Sequence, residues 1–119
     1  MKLVVTGGAG YVGSAVAQAL LARGHETIVF DNPPTGHRGA VPPGARWVEG
    51  DIRDAEALAR VLDARTDAVV HFAAWSVVED SVRRPLDYFD NNVGGTVSLL
   101  QAMQAAGVQR IVFSSTAAV

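Results

Sequence analysis

The sequence predicts an α/β fold, a doubly wound parallel sheet, on three observations. The β-branched apolar run at residues 3–6 passes straight into a glycine-rich turn and then into a helical pattern. A second apolar run, residues 26–30, ends on an acid, Asp31. From there, short buried-strand runs alternate with 3.6-residue periodicity up to the final strand-like segment.

The first run and its turn read Val4-Val5-Thr6-Gly7-Gly8-Ala9-Gly10-Tyr11-Val12-Gly13. Glycines without a Cβ let backbone approach a pyrophosphate, and the following helix turns its unpaired N–H groups and positive dipole end toward it. Gly8-x-Gly10-x-x-Gly13 fits the dinucleotide fingerprint, and Gly7-x-x-Gly10-x-x-Gly13 is a second spacing in the same stretch. The helix over residues 11–23 presents Val12, Val16, Ala19 and Leu20 as its apolar pattern and ends at Gly24, a left-handed cap. Asp31 follows the second strand eighteen residues beyond Gly13, where the fingerprint expects an acid that accepts from the adenosine ribose hydroxyls. A carboxylate there repels a 2′-phosphate, and Asn32 rather than an Arg comes next, so NAD is expected over NADP.

The 119 residues suffice for one domain, and 49% hydrophobic content is enough for a core. A net charge of −2 without a Lys/Arg run argues against a nucleic-acid partner or an anionic membrane surface. The absence of cysteine excludes disulfides, Cys metal sites and a thiolate nucleophile, and no metal site is expected. No signal-like or membrane-length apolar run is present, which makes a cytoplasmic protein the expectation.

Residues 32–44 are too rich in Pro and Gly for a helix or a central strand and read as a long loop. Residues 46–49 form a third strand. Asp51 and Ile52 follow it, one able to accept from the adenine amine and the other to cover the base. Asp54 is the N-cap of a helix reaching Leu62, with Ala55, Leu58, Val61 and Leu62 inward. Residues 67–74 read as a buried fourth strand whose small residues come at its carboxyl end. His71 lies inside that apolar run and reads as a hydrogen-bonded core histidine, not a catalytic base. Pro85 opens a long helix to about Ala106, with Leu86, Phe89, Val93, Val97, Leu100 and Met103 in one stripe and Gly107 as its stop. Asn91 and Asn92 are poor residues for a helix interior, which a buried amide holding strand carbonyls or a water would explain. Residues 109–114 form the fifth strand, and the hydroxyls of Ser115 and Thr116 emerge at its ligand end.

With these motifs in order, the chain resembles the extended short-chain dehydrogenase/reductase family over its whole length, and within it the sugar-nucleotide 4-epimerases. The matching segments are Thr6 to Gly13, Asp31-Asn32 with Thr35-Gly36-His37-Arg38, Glu49-Gly50-Asp51-Ile52, His71-Phe72-Ala73-Ala74, Asn91-Asn92-Val93 with Gly95-Thr96, and Val112-Phe113-Ser114-Ser115. The resemblance implies a Rossmann-type sheet of order 3-2-1-4-5, here cut before the later strands and the substrate domain, so that residues 1–119 are an incomplete NAD-binding domain. It implies that Gly7, Gly10, Tyr11, Val12 and Gly13 lie at the pyrophosphate, and Asp31, Asn32, Thr35 and Gly36 at the adenosine ribose. Asp51 and Ile52 would lie at adenine, and Phe72, Ala73, Ala74, Asn91 and Ser114 along the rest of the groove. Thr116 matches the family's catalytic Ser/Thr that hydrogen-bonds the reacting sugar hydroxyl. The implied chemistry interconverts UDP-glucose and UDP-galactose: a tyrosinate takes the 4-hydroxyl proton, the C4 hydride goes to NAD, the keto sugar turns over, and hydride returns to its other face.

The family's Tyr-x-x-x-Lys pair, whose ammonium lowers the phenol pKa, has no match here: Tyr11 and Tyr88 are followed four residues on by Ala15 and Asn92, and the one lysine is Lys2. The 119 residues alone are therefore expected to be inactive. A noncatalytic NAD-binding module or redox sensor is the alternative from another class. A nucleotide-sugar dehydratase or reductase is the alternative within the family, with Ala117 and Ala118 after Thr116 disfavouring the dehydratase. The resemblance also implies a UDP-sugar as substrate and a homodimer formed through residues 85–106, leaving the helix's apolar stripe partly exposed in an isolated chain.

Overall fold

The computed structural model describes residues 1–9, 11–32, 39, 41–73 and 82–114. Five parallel strands form one sheet: β1 (Lys2–Thr6), β2 (Glu26–Asp31), β3 (Arg46–Glu49), β4 (Ala68–His71) and β5 (Ile111–Phe113), in the order β3-β2-β1-β4-β5. This is the expected doubly wound order. β1 is central, its Leu3 opposite both Thr27 and Ala68, and its last residue, Thr6, opposite both Phe30 and His71. The sheet therefore reverses its direction of winding between β1 and β4, and a ligand crevice opens above the carboxyl ends of those two strands.

Right-handed crossovers in opposite directions put helices on both faces. α1 (Tyr11–Ala22) joins β1 to β2 and packs on those two strands. The other face carries α2 (Ala55–Val61) and a long helical stretch made of α3 (Pro85–Phe89), a π-helical turn (Asp90–Gly94) and α4 (Gly95–Ala106). Val4, Ile28, Phe30 and Val69 of the sheet meet Leu58, Val61, Leu99 and Met103 of these helices in the main core. Among the described residues no helix is long and apolar enough to cross a membrane.

Local sequence accounts for the ends. Asp54 caps α2, its carboxylate accepting from Glu56 N and Ala57 N, as its position predicts. Gly107 closes α4 at φ 80°, and Val108 N donates to Met103 O at 2.9 Å while Val108 itself is buried.

Three helix faces differ from expectation. On α1 the buried positions are Gly13 and Ala17, with Val16 and Leu20 half-buried and Val12 and Ala19 exposed. The helix seats its smallest residues on the sheet because its first turn lies hard against the glycine turn. On α2, Ala57 is inward in place of Ala55. In the long helix, Tyr88, Asn91, Gly95, Leu99 and Met103 face the core. Of the expected stripe only Met103 is buried, and Leu86 and Phe89 are 81% and 65% exposed, with Val93, Val97 and Leu100 also outward. The sequence holds two apolar faces, and the one that reaches this core carries Gly95, whose missing Cβ makes room for Ile52. β4 ends at His71, leaving Phe72 and Ala73 half-buried beyond it, and Val112 and Phe113 of the edge strand β5 are exposed.

Candidate dinucleotide site

The site grows from the junction of β1 and α1. Gly7 takes φ +72° and donates its N–H to Phe30 O at 2.9 Å, turning the chain immediately after the strand. A Cβ on Gly7 would stand 2.7 Å from the backbone of Phe72 and Ala73, and one on Gly13 only 2.2 Å from Gly7 O. The turn is thus compressed between the carboxyl end of β4 and the first turn of α1, and both positions admit glycine alone. Tyr11, at the start of that helix, is 94% exposed, and Val12 beside it is also outward, so the end of the helix where N–H groups lack intrahelical partners is open to solvent.

Asp31 ends β2 and is 5% exposed. Its Oδ2 accepts from Ala9 N at 2.9 Å and its Oδ1 from Asn32 N at 2.7 Å. Burial raises its pKa above the usual carboxylate value, and the two backbone N–H groups work against that shift. Each oxygen keeps a lone pair for a hydroxyl donor. The acid thus also braces the glycine turn.

Asp51 stands next to it at the end of β3. Arg53 grips Asp51 with a fork, Nε to Oδ1 at 3.0 Å and Nη2 to Oδ2 at 2.7 Å, and its backbone N–H donates to Oδ1 at 2.8 Å. Asn32 Nδ2 donates to Oδ2 at 3.2 Å. The Arg53 hydrogen bonds hold the Asp51 carboxyl below its usual pKa. Four donors already address this carboxylate, two on each oxygen, so an adenine amine would have to displace Asn32, the longest of them, from Oδ2. Arg53 Nη1 also reaches Asp90 at 2.9 Å, tying this loop to the π-helical turn.

A single imidazole joins the other half of the crevice. His71 is 2% exposed; its Nδ1 lies 2.6 Å from Thr6 Oγ1 and its Nε2 3.3 Å from Thr96 Oγ1. Thr96 spends its hydroxyl hydrogen on Asn92 O at 2.6 Å. Thr96 can only accept from His71, which places the ring proton on Nε2 and makes Thr6 the donor to Nδ1. Burial pushes the imidazole pKa down to about 4, so the ring is neutral near pH 7. His71 is the core histidine that its apolar setting predicts.

The chain matches the model of the NAD dependent epimerase/dehydratase family over residues 3–119. It belongs to that family. Among members of the epimerase/dehydratase family, the UDP-glucose 4-epimerase of Streptomyces lividans is 56% identical over 98% of the chain, and that of Lacticaseibacillus casei 53% identical over 99%. The chain spans 36% of the length of both relatives. The crystal structure of the UDP-glucose 4-epimerase of Thermus thermophilus in complex with NAD superposes with a TM-score of 0.91 at 42% identity, over 98% of this chain and 38% of that one.

Set beside the epimerase/dehydratase assignment, the structure brings Gly7, Tyr11, Val12, Gly13, Asp31, Asn32 and Asp51 to the carboxyl end of the sheet around the β1–α1 junction. Phe72 and Ala73 leave β4 at the same end, with Phe72 N donating to Thr6 O at 2.8 Å, and exposed Ser114 leaves β5 with its N–H on His71 O at 3.2 Å. Two expectations need correction. The side chain of Ile52 is buried beneath Gly95 and faces the core, not an open surface where a base could lie against it. Asn91 is buried, but its Nδ2 donates to Asn92 Oδ1 at 2.9 Å and not to a strand carbonyl. Gly10, Thr35, Gly36, Ala74 and Thr116 lie outside the described residues. Sequence reading missed the Arg53 fork and the Thr6 and Thr96 hydroxyls. The signals were present: an arginine two residues after a loop aspartate, and threonines at the end of a buried strand and inside a helix. Among the described residues no three His, Asp or Glu side chains gather as metal ligands.

Proposed function

We propose that this chain is the NAD-binding part of a nucleotide-sugar 4-epimerase that interconverts UDP-glucose and UDP-galactose through transient oxidation at C4. The observation that carries the reading is the glycine cradle with a buried acid bound to it: Gly7 and Gly13 leave no room for a Cβ, and Asp31 reaches back to Ala9 N. That cradle fits a pyrophosphate flanked by a ribose. The relatives described as UDP-glucose 4-epimerases support the choice of sugar nucleotide.

In this reading the start of α1, with Gly10, Tyr11 and Val12, holds the pyrophosphate. Asp31 accepts from the adenosine ribose hydroxyls, with Asn32, Thr35 and Gly36 beside it, and disfavours a 2′-phosphate. Asp51 accepts from the adenine amine beside the Ile52 backbone. Phe72, Ala73, Ala74, Asn91 and Ser114 line the remainder, and Thr116 hydrogen-bonds the reacting 4-hydroxyl. Bound NAD supplies a hydride acceptor for C4. The outward Leu86, Phe89, Val93, Val97 and Leu100 support a homodimer through residues 85–106.

The test is to purify the full-length protein, release its cofactor by denaturation and identify it by mass, then supply UDP-galactose and quantify UDP-glucose by chromatography. NAD in the released fraction and formation of UDP-glucose are expected. Failure to hold or take up NAD refutes the reading, and NAD uptake without conversion of any UDP-sugar leaves a noncatalytic NAD-binding module.

A further inference from the structure

Thr6 and His71 face each other as the last register pair of β1 and β4, where the winding of the sheet reverses. His71 is also the last partner of β5, opposite Phe113, whose ring centroid lies 5.5 Å from the imidazole. Through Thr96 and Asn92 O the same ring holds the π-helical turn that carries Asn91. One buried side chain therefore touches all three segments that rise toward the half of the crevice away from Asp31 and Asp51. π-Helical turns inside α-helices occur often at functional sites, because the extra residue redirects the side chains around it. Here the Thr96 hydroxyl occupies Asn92 O, and the imidazole N–H fixes that hydroxyl in place.

We propose that His71 is a positioning residue for the nicotinamide half of the bound dinucleotide: the Thr6–His71–Thr96 hydrogen-bond chain sets the spacing between the ends of β1 and β4 and the π-helical turn over which that half lies. The inference rests on the NAD-binding reading above. It takes the adenosine half to be held by Asp31 and Asp51, which His71 does not touch. The ring does no proton chemistry: it is buried, neutral, and engaged at both nitrogens.

The experiment compares binding of NAD and of ADP-ribose, which lacks only the nicotinamide, to cofactor-free full-length protein by calorimetry. The variants are His71→Leu, His71→Gln and Thr96→Val. In the wild type, NAD is expected to bind tighter than ADP-ribose. His71→Leu is expected to leave ADP-ribose affinity within about twofold and to weaken NAD about tenfold, the effect of one lost hydrogen-bond network. His71→Gln, whose amide can still donate to Thr96, is expected to recover most of the loss. Thr96→Val keeps the imidazole and should reproduce the selective loss, which preserves the test if His71→Leu does not fold. Equal losses for both ligands, or no loss for either, would overturn the inference and leave His71 as core filling. A wild type that binds neither ligand overturns the NAD-binding reading and this inference with it.

Discussion

Lowering the pH from 8 to 5 should destabilise the fold through His71 by a calculable amount. The imidazole titrates near 6.5 when free and is pushed down to about 4 in the folded chain. Between those values the unfolded chain binds a proton that the folded chain refuses. The stability contributed by the neutral ring is therefore complete above pH 6.5 and is lost as pH falls toward 4. At 1.36 kcal/mol per unit, the loss is about 2 kcal/mol at pH 5 and about 3 kcal/mol at pH 4. Asp31 acts with the opposite sign. Its folded pKa is raised by burial, so protonation in the folded state adds stability as pH falls from that raised value toward 3.8. Subtracting a His71→Gln variant removes Asp31 and every other common carboxylate from the comparison. The assay is urea unfolding followed by circular dichroism at pH 8 and pH 5 for both proteins. The wild type should lose about 2 kcal/mol more than the variant over that interval. NMR of the ring should show a proton on Nε2 throughout. Parallel stability curves for the two proteins, or a ring that protonates near pH 6.5, would refute the reasoning.

Three further outcomes follow from contacts described above. Gly13→Ala places a methyl 2.2 Å from Gly7 O, which should cost about 3 kcal/mol in unfolding free energy and abolish NAD binding by calorimetry. Asp31→Asn removes the charge that accepts from the ribose; NAD affinity should fall at least about tenfold while NADP is disfavoured less, read from paired titrations. Phe89→Asp on the outward face should convert a dimer to a monomer in analytical ultracentrifugation, with NAD binding retained; an unchanged sedimentation coefficient would move the dimer interface elsewhere.

The alternation of strands and helices and the position of the acid were legible because both depend on local signals with little ambiguity, whereas the strand order 3-2-1-4-5 was implied by the family resemblance. A β-branched run before a glycine turn and an acid at the end of the next strand leave few alternatives, and Asp54 and Gly107 mark helix ends by chemistry that acts within a few residues. The helix faces were harder. Residues 85–106 are apolar on two sides, and periodicity does not say which side meets this sheet; the deciding residue is Gly95, whose value lies in what it lacks. The π-helical turn was visible only as the oddity of Asn91 and Asn92, since the phase shift of one inserted residue is masked where both sides of the helix carry apolar residues. The Arg53 fork on Asp51 is local and had a signal in the spacing, but its reach to Asp90 and the Thr6–His71–Thr96 chain depend on which loop, helix and strand ends meet, and spacing along the chain does not encode that.

The place of β1 in the middle of the sheet has a consequence for synthesis. Leu3 pairs on one side with Thr27 and on the other with Ala68. β1 is translated before either of its neighbours, and its second partner follows 65 residues later. At the usual pace of about 5–20 residues per second, one edge of this central strand waits roughly 3–13 s for its partner. During that interval it offers an unpaired row of N–H and C=O groups and the side chains of Val4 and Val5. The nascent chain is thus at its most vulnerable to mispairing before β4 appears, a stage at which a ribosome-bound holdase would have the most to shield.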